Sequence, residues 1–351
     1  MVHTPAQRLE MRRLGDACAL RTRWRLLACV SMLRTGATGL IPSAGAAAWW
    51  TLAVSLLPGM GLYLLCRLGM KRSGAATLPE CIRIRWGKTG VALYGVAMAL
   101  ALVWEGVSSL TALSTLFTEG VGARGTQFTM ALAAAGMLLC CDDTGLARGT
   151  YSLRIPLGAA LLAALGGLLA LLRPDHLFPW QGEGLRAVQR AGVYAMGSGW
   201  VFITPLMTEP AGRRRAWEPL PPAAVCVACI LCLNLAIPHE SLVRQASLAE
   251  SLLLTVTFQG AMTRLVCICL WTVGLFLCVG ICSSMASQCI LLSSGRRWKP
   301  LPGVITLGLA AMMLLDGHAL WQWLGQNSPW LLAVPGMASG LACLGRRRKV
   351  P

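Results

Sequence analysis

The chain has 351 residues, of which 56% are hydrophobic and only 13% charged, and it carries a formal net charge of +17. Soluble domains carry about 25% charged residues, so this composition excludes an ordinary water-soluble globule. The positive charge lies in short clusters between apolar stretches, not on one basic face, which argues against nucleic acid as a partner.

Residues 1–25 are basic and polar, with no apolar core ahead of a cleavage site. They are expected to form a cytoplasmic N-terminal segment, with the first span itself directing insertion. A bilayer core needs about 20 apolar residues per helix. Spans are predicted over 26–41, 46–66, 89–117, 125–141, 155–172, 187–207, 220–237, 261–285, 301–315 and 328–344. Lys and Arg gather in every second gap between them: before the first span, at Arg67, Lys71, Arg72, Arg83, Arg85 and Lys88, at Arg148 and Arg154, at Arg213–Arg215, at Arg296, Arg297 and Lys299, and in the tail Arg346–Lys349. The alternate gaps hold only Arg124, Arg173, Arg186, Arg190, Arg244 and Arg264. Loops rich in Lys and Arg stay in the cytoplasm, so ten spans with both termini cytoplasmic satisfy the pattern. The expected organisation is a single transmembrane domain over 26–344, with halves at about 26–172 and 187–344, and a basic cytoplasmic tail over 345–351.

Two further segments are not expected to cross. Residues 74–88 are too polar and read as a cytoplasmic linker helix; residues 239–259 mix polar and apolar positions at helical spacing and read as an external interfacial or re-entrant helix.

Glycine and charge within the spans mark the candidate site. The first span reads MLRTGATGLIP, with Gly36 and Gly39 around Thr35 and Thr38. The sixth reads AGVYAMGSGWVFITP, with Gly197, Ser198, Gly199 and Trp200. Each opens one five-span half, and paired Gly-interrupted helices in corresponding positions point to an inverted-repeat transporter fold with a midplane site. Close packing through small residues explains the same glycines, and both readings stand at this point. Arg34 and Glu105 lie well inside spans, where charge is costly and faces a cavity or a partner. Glu105 is followed by Ser108, Ser109 and Thr111 in VWEGVSSLT. It reads either as the lining of a ligand cavity or as half of a structural ion pair, for which Arg34 is available. Arg264 opens the eighth span and reads as an interfacial anchor, and Trp271 as an interface or packing aromatic.

Most of the 15 cysteines lie inside apolar stretches, and all four histidines lie outside the spans. Cysteine there acts as a small buried hydrophobe, so neither a metal site nor a disulfide framework is expected. No GxSxG, HExxH, Walker A or dinucleotide fingerprint occurs; no enzyme activity and no cofactor are expected.

Several segments together resemble the B-subunit family of spore germinant receptors, ten-span proteins of the amino acid–polyamine–organocation permease superfamily. They are LLPGMGLYLL (56–65), TLPECIRIRWGKTG (77–90), GSGWVFITPLM (197–207) and MTRLVCICLWTVGLF (262–276), the last with Arg264 and Trp271 at the family's Arg-to-Trp spacing. The chain departs from the family at Trp200 and Val266, where acidic residues are common, and in carrying Arg34. The resemblance implies an all-α polytopic membrane protein with ten transmembrane helices in a 5+5 inverted repeat, helices 1 and 6 broken (the LeuT-like arrangement). It implies a diverged member in the inner spore membrane, sensing a small germinant such as an amino acid, beside an A-type membrane subunit and a C-type lipoprotein. A secondary active transporter of amino acids or related small organic molecules is the alternative.

Overall fold

The computed structural model describes residues 21–36, 47–121, 153–169, 189, 193, 199–207, 215–236, 261–294, 301–315 and 333–344. The expected fourth span (125–141), the segment 239–259 and most of the expected sixth span lie outside the described residues. Every regular element among the described residues is helical. Helix α1 is described over 21–36, with residues 35–36 in a π turn. Then follow α2 (Ala48–Ser73), α3 (Leu78–Val121) and α4 (Arg154–Leu169). A short α5 (199–203) tightens into a 3-10 turn at Thr204–Met207. The remainder are α6 (Leu220–Ala236), α7 (Ala261–Ser294), α8 (Leu301–Leu315) and α9 (Ala333–Leu344).

Among the described residues, three segments are long and apolar enough to cross a membrane: Ala48–Ser73, Leu78–Ser114 and Leu265–Ser294. Large apolar side chains also cover their outer surfaces: Leu57 is 59% exposed, Leu93 68% and Leu100 63%. A helix apolar on all sides belongs where its outer face meets lipid. The protein is therefore a helical membrane protein.

The centre of the packing is α3 against α7, with α8 laid along α3 and α2 against α6. Small residues let these helices close up without a hydrophobic driving force between them. At Gly95 of α3, a Cβ would lie 2.8 Å from the Cys289 carbonyl oxygen of α7.

Several helices begin or run beyond the predicted spans. The described part of α1 already includes residues 21–25, within the segment expected to be polar: Trp24 is 2% exposed and its indole Nε1 donates to the Val201 carbonyl at 3.1 Å. Helix α7 continues to Ser294, past the expected end at 285, with Ala286, Ser287 and Cys289 buried in the packing.

Residues 78–121 contain a break at Gly87, whose φ of 75° and ψ of −167° are non-helical. That region of backbone space is open essentially to glycine alone. It separates a short linker helix (78–86) from the span proper. Replacing Gly87 with alanine is expected to cost about 1–3 kcal/mol, read as a lowered unfolding midpoint. An unchanged midpoint would show that the chain turns here without left-handed backbone.

Candidate functional site

Arg34 in the last turns of α1 and Glu105 in the middle of α3 meet inside the bundle. Arg34 Nη2 donates to Glu105 Oε2 at 2.8 Å, and the two side chains are 15% and 1% exposed. The second carboxylate oxygen, Oε1, is buried and accepts no hydrogen bond among the described residues. Separating one buried charge from its partner costs far more than the intact pair contributes. A pair this deep in an apolar bundle is thus a two-ended polar site, with Oε1 of one end left without a donor among the described residues.

The surroundings come from α7 and α8. Ser109, one turn beyond Glu105, donates from Oγ to Cys278 Sγ at 3.4 Å, and Cys278 and Cys282 place their sulfurs 4.0 Å apart. A Cβ at Gly106 would lie 3.2 Å from Thr306 Cγ2 and 3.6 Å from Cys282 Cβ. Ser108 is buried, and Thr111 turns its hydroxyl back onto the Val107 and Ser108 carbonyls at 3.1 and 3.0 Å. Of the hydroxyls after Glu105, Ser109 faces α7 while Thr111 serves its own helix.

The glycine-marked ends of α1 and α5 are packing sites where they are described. Thr35 Oγ1 donates to the Ser31 carbonyl at 2.9 Å, within its own helix. A Cβ at Gly36 would stand 3.0 Å from Ile230 Cδ1 of α6. A Cβ at Gly199 would lie 3.6 Å from Gly59 Cα, and one at Gly59 would lie 3.0 Å from Gly199 Cα, so α2 and α5 cross backbone to backbone. Trp200 is fully buried, and its indole Nε1 has no hydrogen-bond acceptor among the described residues. The Val201 carbonyl, near the point where α5 tightens, accepts from both Trp24 Nε1 and Thr204 Oγ1. Protein side chains thereby satisfy a backbone group at this helix end. Thr38, Gly39, Gly197 and Ser198 lie outside the described residues. Arg264 sits in the first turn of α7, its side chain outside the described residues, and Trp271 packs half-buried against the core.

Among the described residues the structure thus brings together Arg34, Glu105 and Ser109, and places Gly36, Gly199 and Trp200 in packing contacts. Sequence reasoning missed Trp24, Cys278 and Thr306. Trp24 carried a readable signal, an aromatic in a basic stretch directly before an apolar run; the other two look like ordinary apolar-helix residues. No group of three or more His, Cys, Asp or Glu placed to hold a metal ion occurs among the described residues.

No family model matches the chain, and no curated protein matches it. Among solved structures, the chain is similar to a manganese transporter from Eremococcus coleocola, determined in complex with an aromatic bis-isothiourea substituted compound. The TM-score is 0.59 at 13% sequence identity, over 93% of this chain and 76% of that one. At that identity the likeness is one of fold: this chain shares the helical architecture of a membrane transporter.

Proposed function

We propose that the chain is a secondary active transporter of the permease type, carrying amino acids or related small zwitterionic molecules past the Arg34–Glu105 pair. The observation that supports it is the pair itself, with Glu105 Oε1 beside it and without a donor among the described residues. A zwitterion offers a carboxylate to the guanidinium and an ammonium to the carboxylate, so it can replace each half of the pair without leaving a buried charge alone. The transporter fold of the Eremococcus protein supports the same reading. Its manganese does not transfer with the fold. Manganese(II) seeks several oxygen ligands, and Glu105 already faces the fixed cation Arg34, which opposes a divalent ion.

In this reading the ten spans form a 5+5 inverted repeat with both termini in the cytoplasm of a multi-pass cell-membrane protein, and α1 and α5 are its paired broken helices. The Trp24–Val201 contact between those two helices supports that pairing. The experiment is uptake of radiolabelled amino acids into vesicles reconstituted with the purified chain. Saturable, gradient-dependent uptake is expected. Uptake no faster than in empty vesicles, across a panel of acidic, basic and neutral amino acids, would contradict the reading.

A second reading keeps the fold and removes the flux: a germinant-sensing subunit in the inner spore membrane, acting with an A-type membrane subunit and a C-type lipoprotein. It rests on the local sequence matches, two of which, LLPGMGLYLL and GSGWVFITPLM, meet in the structure at Gly59 and Gly199. Co-purification of such partners from spores, together with ligand binding but no uptake, would favour it over transport.

A further inference from the structure

The linker helix (78–86) is built as a two-faced element at the end of the bundle. Gly74 closes α2 in left-handed conformation, with φ 72°, and its N–H donates to the Lys71 carbonyl at 3.3 Å. Gly87 turns the chain again into the long span. Between them, Leu78, Cys81, Ile82 and Arg85 recur at helical spacing and are all buried. Ser73 Oγ at the end of α2 donates to Cys81 Sγ at 3.4 Å, which ties the inner face to the bundle.

The outer face has the opposite character. Arg83, Trp86 and, just past the turn, Lys88 are exposed, and Lys71 and Arg72 are exposed at the adjoining end of α2. Glu80 is exposed beside them, its Oε2 accepting the Ala76 N–H at 2.7 Å, and its one negative charge leaves the group of Lys71, Arg72, Arg83 and Lys88 net positive. Trp86 is 39% exposed. A Cβ at Gly90 would meet Trp86 Cβ and would lie 3.6 Å from its ring atom Cε3, so the indole lies along the foot of α3. Above it on the same span, Leu93, Val96 and Leu100 are exposed at helical spacing. Cations, an interfacial indole and an apolar stripe therefore follow one another across the Gly87 turn, from the linker helix into the long span.

We propose that this face binds an anionic phospholipid, the phosphate between Arg83 and Lys88 and the acyl chains along Leu93, Val96 and Leu100. Charge complementarity selects an anion, and Trp belongs at the headgroup level of a bilayer. The apolar stripe running on from the cations selects an amphiphile over a soluble anion or an acidic protein. Juxtamembrane basic residues attract anionic headgroups, each contributing roughly a fivefold gain in binding. The site stands apart from Arg34 and Glu105 and does not depend on the transport reading.

The test is native mass spectrometry of the purified full-length chain with phosphatidylglycerol or phosphatidylcholine added in equal amounts. The wild type is expected to retain phosphatidylglycerol preferentially. Arg83→Gln with Lys88→Gln is expected to lower that preference roughly twentyfold or more, about fivefold per charge, with phosphatidylcholine retention unchanged. Arg83→Lys with Lys88→Arg preserves both charges and is expected to behave as wild type. An undiminished preference in the glutamine variant would overturn the proposal, as would loss of it in the charge-preserving variant. Competition by glycerol phosphate or polyglutamate at the concentration at which phosphatidylglycerol binds would also overturn it, assigning the patch to a soluble anion or an acidic protein.

Discussion

Replacing Arg34 with leucine is expected to destabilise the protein by about 3–5 kcal/mol, since it strands Glu105 as an unpaired charge inside the bundle. Glu105 is only 1% exposed, its Oε2 loses the 2.8 Å hydrogen bond from Arg34, and its Oε1 has no donor to fall back on among the described residues. Glu105→Leu alone is also expected to destabilise, since it takes the carboxylate away from the Arg34 guanidinium. The double variant Arg34→Leu with Glu105→Leu is expected to recover most of that stability, because a buried ion pair replaced by apolar residues of similar size is often neutral or stabilising. Substrate uptake is expected to vanish in all three. Denaturant unfolding in detergent reads the stability and vesicle uptake reads the function. Full stability in each single variant would show that water reaches the pair and that it carries no buried charge. Uptake by the double variant would show that substrate passes elsewhere.

Gly69→Ala is expected to be the most disruptive single-methyl change at the end of the bundle where α2 and α9 cross. The added Cβ would lie 2.5 Å from Cys343 Cβ, 2.9 Å from its Cα and 3.0 Å from its carbonyl oxygen. Two of those three atoms are backbone, so no rotamer change relieves the clash and the helices must move apart. Overpacking of this kind costs about 1–3 kcal/mol, and separation also breaks the contact from Cys343 Sγ to the Cys66 carbonyl at 3.7 Å. Gly61 lies two turns earlier in the same helix, and a Cβ there would meet nothing within 4 Å. Gly61→Ala is expected to be neutral or to stabilise by about 0.5–1 kcal/mol, the helix-propensity gain alone. Equal unfolding midpoints for the two variants would contradict the close approach of α2 and α9.

Much of this architecture is legible in the sequence because lipid imposes a simple rule. A segment such as Ala48–Ser73 is long and apolar enough to cross a bilayer, and the apolar run alone picks it out. The ends of helices are less legible. Trp24 ties α1 to the Val201 carbonyl, and α7 runs on to Ser294 with Ala286, Ser287 and Cys289 buried against other helices, which no local pattern encodes. The Arg34–Glu105 pair illustrates the site. Intramembrane charge announces that each residue needs a partner, yet 71 residues of chain separate them. Only the packing of α1 on α3 decides that they meet. The glycines carried least information: the same residue type lets a helix break for a ligand or lets two helices touch. At Gly36 and Gly199 the occupied space beside the Cβ position is protein.

The central claim is that a zwitterion substitutes for the Arg34–Glu105 pair, and inhibition of amino-acid uptake by charge-deleted analogues tests it most directly. In vesicles bearing the wild-type chain, the free amino acid is expected to compete fully. Its methyl ester, which lacks the carboxylate, and its N-acetyl derivative, which lacks the ammonium, are each expected to fail even at concentrations about tenfold higher, the loss that one unpaired buried charge imposes at the least. Manganese(II) is expected to have no effect. Competition by the ester and the N-acetyl derivative at the same concentration as the parent would show that neither charge is read, and would contradict the account.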